Sequence, residues 1–81
     1  MTARFAITAP QLRFMLAVET LGRMSVDGPD ASKHSIATRR AVRNAGWVRQ
    51  VGTLGSFAWE ITEAGAFQLA EWRREMQRSA A

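Results

Sequence analysis

Five basic side chains, Lys33, Arg39, Arg40, Arg43 and Arg49, lie in a stretch without a single carboxylate, bounded by Asp30 and Glu60. The other six basic residues meet all seven acidic ones, so the formal net charge of +4 divides into +5 inside this stretch and −1 outside it. Such a surface attracts a polyanion. Arginine forks bind guanine edges or phosphates, and the hydroxyls of Ser32 and Ser35 suit either. The one histidine, His34, has Asp30, Ser32 and Ser35 close in sequence. Neighbours on one turn do not make a catalytic triad, which needs convergent groups from separate elements, so a surface or phosphate-contacting role is expected. No glycine-rich phosphate loop, no paired carboxylates around an apolar pocket and no His/Cys/Asp metal spacing stand out, so a binding protein without cofactor or metal is expected rather than an enzyme.

The elements that must carry these residues are legible from period and punctuation. Thr38, Ala41, Val42 and Ala45 form one inward stripe of a helix over 33–45, and Ser32, Ser35, Ile36, Arg39, Arg40 and Arg43 fan over its outward side. Ser32, with Asp30 as the alternative, is the expected cap. Gly46 stops the helix, as glycine does by taking the left-handed conformation. Trp47 to Val51 and Phe57 to Ile61 are rich in β-branched and aromatic residues, and Gly52-Thr53-Leu54-Gly55-Ser56 supplies a five-residue tip, giving a two-stranded hairpin within 47–61. Thr62 can cap a further helix running to about Ser79, with Glu63 in its first turn.

Ala45-Gly46-Trp47-Val48, a hairpin, and then Trp59-Glu60-Ile61-Thr62-Glu63-Ala64-Gly65 resemble the signature of winged helix-turn-helix domains, common in small bacterial and phage regulators. The resemblance covers Thr38 to about Leu69. It implies an α+β winged helix of three α-helices with a two-stranded β-hairpin wing, and a DNA-binding function in which the recognition helix precedes Gly46. The DNA-contacting set it points to is Ser32, Lys33, His34, Ser35, Arg39, Arg40, Arg43 and Arg49, with Thr53 offering a hydroxyl at a wing tip that carries no Arg or Lys.

Upstream, Thr8-Ala9-Pro10-Gln11 is a helix entry with Thr8 as N-cap, proline in the first turn and Gln11 closing a capping box. Leu12, Met15 and Leu16 lie beside Phe14, Val18 and Leu21, a wide apolar face suited to the middle of a small core, and Gly22 ends the helix. Val26-Asp27-Gly28-Pro29-Asp30 is turn chemistry without amphipathic period, so the second helix usual in this family is expected to be short, irregular or missing. Residues 1–7 read as a strand or packing arm and 79–81 as a frayed tail of one domain spanning 1–81.

Two competing readings stay open. Ile36 and Leu54 are apolar side chains expected to be exposed near the arginines, which suits a protein partner on the Arg39/Arg40/Leu54 face. A winged helix used as a protein-binding module, such as a phage or mobile-element inhibitor of a host nucleic-acid-binding protein, would show this. Alternatively, three arginines on a helix are a solvated face. Trp72 with Met76 lies beyond the expected end of the core, so a homodimer seam between C-terminal helices is a further expectation. Eighty-one residues bury one modest core. The absence of cysteine suits a reducing compartment, and with no membrane-length apolar run or signal pattern a cytoplasmic protein is expected.

Overall fold

The computed structural model describes residues 7–80. It is an α+β arrangement of four helices and a three-stranded antiparallel sheet: α1 (Ala9–Leu21), β1 (Met24–Ser25), α2 (Pro29–Ser32), α3 (Ile36–Asn44), β2 (Val48–Thr53), β3 (Ser56–Ile61) and α4 (Glu63–Ala80). The strand order is β1-β3-β2.

α1 begins as its sequence dictates. Thr8 Oγ1 accepts from the Gln11 amide while the Gln11 side chain accepts from the Thr8 amide, and Pro10 needs no partner in the first turn. Phe14, Met15 and Val18 are its wholly buried side chains, and they meet Met24, Ala31, Val42, Val48, Trp59 and Leu69 from every other element. α1 is thus the centre of the core, touching α3, α4, β1 and β3. Leu21, placed on the apolar face by period, is half exposed because the helix ends at Gly22 before anything covers it.

The sequence expectation of three helices and two strands needs correction to four and three. Pro29 opens a four-residue α2, whose amides beyond the end turn back onto it: Lys33 N–H donates to the Asp30 carbonyl and His34 N–H to that of Ala31. Ahead of it, Met24 and Ser25 pair with Trp59 and Ala58, a strand too short for alternation to reveal. The hairpin also differs. Its strands run on through Gly52-Thr53 and from Ser56, with Thr53 paired to Ser56, so the tip is two residues, Leu54 and Gly55, rather than five.

The join between α3, the hairpin and α4 rests on three residues. Gly46, at φ +83°, ends α3 in a conformation that other residues resist. Thr62 Oγ1 donates to the Gly46 carbonyl at 2.6 Å and accepts from the Gly65 amide at 3.0 Å, so one hydroxyl ties the end of α3 to the start of α4. Gly65 is buried against the Trp47 backbone, where a Cβ would overlap the Trp47 carbonyl oxygen. Trp47 and Trp59 belong to the core, partly and fully buried respectively.

Past Leu69, α4 runs out of core: Trp72 is half-buried and Met76 is 49% exposed. α4 runs as helix to Ala80, with Glu75–Arg78 and Glu71–Arg74 pairs along its surface, and Ala81 of the expected tail lies outside the described residues. Of the expected arm, residues 1–6 lie outside those described, while Ile7 packs against the core. Among the described residues no helix is long and apolar enough to cross a membrane, and no group of His, Asp and Glu could hold a metal ion.

Candidate nucleic-acid interface

The helix carrying the arginines is shorter than the expected 33–45, because its cap is Ser35 rather than Ser32. Ser35 is extended, with φ −63° and ψ 153°, and its Oγ accepts from the Thr38 amide at 3.1 Å. Ser32 instead closes α2, donating its hydroxyl to the Pro29 carbonyl at 2.9 Å. Two serines three apart are equivalent to the eye; the proline that starts α2 decides between them. At the other end Ala45, expected inside, is exposed, and Val42 is the buried residue of the stripe, with Thr38 and Ala41 half-buried.

Lys33 and His34 therefore sit on the link between α2 and α3. Lys33 Nζ lies 3.6 Å from Asp30. The His34 ring packs on Phe14 with centroids 5.2 Å apart, and burial, then the positive charges of Arg39, Arg13 and Lys33, hold its pKa below the ordinary value, with Asp30 opposing. Arg39 reaches back over this link, its Nε donating to the His34 carbonyl at 3.0 Å. Arg39 is thus half-buried and partly structural, a role that sequence reasoning did not give it.

The charge segregation seen in sequence survives folding in a reduced form. Glu60 bonds Arg23 Nε at 2.9 Å and Arg49 Nη2 at 3.0 Å, so Arg49, expected at phosphate, is paired across the hairpin with its register partner. Glu19 holds Arg73, and Glu71 and Glu75 hold Arg74 and Arg78. Among the described residues, the basic side chains without a carboxylate partner are Arg13, Arg39, Arg40 and Arg43. Three of these four are on α3.

Two hollows flank that helix. One, of about 310 Å³, lies at its N-terminal end between Arg13 of α1 and the Lys33-His34-Ser35 link. The other, of about 200 Å³, lies between α3 and the sheet, with Ile36, Arg39, Arg40 and Arg43 on one side and Val26, Gln50 and Trp59 on the other. Gln50 pairs in register with Trp59 and shares the helix-facing side of β2 with Val48. Alternation from the buried Val48 could have placed it there from sequence. Trp59 is 5% exposed, and its indole Nε1–H has no acceptor among the described residues.

The remaining expected residues are dispersed. Thr53 is exposed at the end of the hairpin, beside Leu54, which at 94% exposure touches almost nothing. Ile36, 64% exposed, shares the hollow with the arginines. Comparison with protein-family models, with curated proteins and with solved structures gives no match to this chain.

Proposed function

We propose that this chain is a winged-helix protein that binds duplex DNA, a small transcriptional regulator of a bacterium or phage. In this reading α3 is the recognition helix and the β2–β3 hairpin the wing. The observation that carries it is the trio Arg39, Arg40 and Arg43, unpaired on one helix while nearly every other cation of the described chain has a carboxylate. Unpaired arginines on an exposed helix displace phosphate counterions and reach base edges without first breaking an ion pair. Lys33 and Ser35, at the N-terminal end of α3, support the same contact from the side where the helix dipole favours an anion. Arg49 contributes once a duplex phosphate competes with Glu60 for it.

The test is saturable binding to labelled random-sequence duplex at low salt, followed by selection of a preferred sequence. Absence of binding at low salt would contradict the reading. The second reading, a protein-binding module of the phage-inhibitor type, is favoured by one observation, the exposure of Ile36 and Leu54. It is the reading to adopt if duplex fails to bind.

A further inference from the structure

The 200 Å³ hollow between α3 and the sheet has the makings of a defined site rather than a generic basic surface. Three guanidinium groups border it, and no carboxylate lines it. Arg39 keeps its two terminal nitrogens available, since only Nε is committed to the His34 carbonyl. Across from them stand Gln50 and Trp59. Three arginines crowded without counter-charge call for an anion with several acceptor oxygens.

We propose that this hollow is an oxyanion pocket that takes a phosphate group, held by the guanidinium ends of Arg39, Arg40 and Arg43 and by the Gln50 side-chain amide, with Trp59 lining it as a reporter. Val26 and Ile36 supply an apolar edge for whatever the phosphate is attached to. The phosphate has two sources, the backbone of a duplex or a free small phosphoester. The pocket stands on its own geometry; only the first source rests on the DNA-binding reading.

The experiment follows the indole N–H resonances of the full chain by NMR while inorganic phosphate replaces chloride at constant ionic strength. Trp59→Phe assigns the resonance; should that variant not fold, backbone connectivity assigns it. The expected result is a saturable shift of the Trp59 indole with Trp47 and Trp72 unmoved. In an Arg40→Gln/Arg43→Gln variant, which changes exposed side chains only, the apparent Kd should rise by roughly tenfold or more, as loss of charge-assisted hydrogen bonds implies. A shift that never saturates, that the three tryptophans share, or that the variant leaves intact would overturn the pocket.

A second titration with a short duplex separates the sources. If the duplex moves the same resonance and phosphate competes with it, the pocket holds a backbone phosphate. If phosphate saturates the site while the duplex neither binds nor competes, the pocket stands as a small-phosphoester site and the DNA reading falls. If the duplex binds but neither ligand moves the Trp59 indole, the pocket falls and the DNA reading stands.

Discussion

Arg49 and Glu60 face each other across β2 and β3 as register partners, with Arg49 Nη2 3.0 Å from Glu60 Oε1. The second oxygen of Glu60 accepts from Arg23. One carboxylate therefore pairs with a cation of the hairpin and another of the α1–β1 link, leaving a net charge of +1 on the three. Removing its charge should release both. Glu60→Gln is expected to strengthen duplex binding at low salt and to steepen its salt dependence, by about 0.9 in the log–log slope for each arginine that gains a phosphate. Stability should hardly change, because exposed ion pairs contribute little. Arg23 first, then Arg49, holds the Glu60 carboxyl below its ordinary range, so in the wild type this link is complete at neutral pH and is lost only as pH falls through that lowered value. Carboxyl ¹³C titration of both proteins, beside anisotropy with labelled duplex, checks it.

A methyl group at Gly65 has nowhere to go. Gly65→Ala would drive Cβ into the backbone carbonyl of Trp47, and a backbone atom cannot swing aside as a side chain does. The expected cost is about 2–3 kcal/mol, read as a lower denaturation midpoint. Ala64→Gly, one residue away on an exposed position, should cost only about 1 kcal/mol and serves as the comparison.

Helix boundaries and their punctuation were readable because they are local. Thr8 with Gln11, Gly46 and Thr62 act on residues at most a few positions away, or at a chain reversal that the glycine itself announces. The start of α3 was not readable in the same way, since choosing Ser35 over Ser32 depends on Pro29 having already opened α2. The site was legible as a set of residue types and not as a charge distribution. Glu60 lies at the edge of the carboxylate-free stretch in sequence, yet the hairpin register folds it onto Arg49. Arg39 turns inward to the His34 carbonyl for a reason visible only once that link is built. Alternation from Val48 places Gln50 beside the arginines, but Trp59 joins them through sheet pairing, which no period along one strand reveals.

His34 should be neutral at pH 7 despite its place among site residues. Burial against Phe14, then the charges of Arg39, Arg13 and Lys33, lowers its folded pKa beneath the ordinary 6.5. A histidine lowered in the folded state binds fewer protons there than in the unfolded chain, so its contribution is complete above about 6.5 and is lost as pH falls toward the folded value. Proton NMR of the imidazole should give a midpoint below that of a free histidine, rising in Arg39→Gln. Duplex affinity should be flat between about pH 7 and 8, since no charge is gained or lost at His34 there.

Half-buried Trp72 and exposed Met76 continue the α4 face on which Gly65 and Leu69 are buried. A second copy along α4 is the expected cover. Sedimentation equilibrium should show a dimer at high concentration, dissociated by Met76→Glu; a monomeric mass for the wild type throughout would remove the seam.

The most direct measurement of the proposed function is duplex affinity across a salt series for the wild type and for Arg40→Gln/Arg43→Gln. Both side chains are exposed and unpaired, so the variant should fold as the wild type does. The expected result is wild-type binding that weakens steeply with salt and a variant slope shallower by about 2, one unit for each phosphate contact removed. Equal slopes, or no wild-type binding at low salt, would contradict DNA contact by α3.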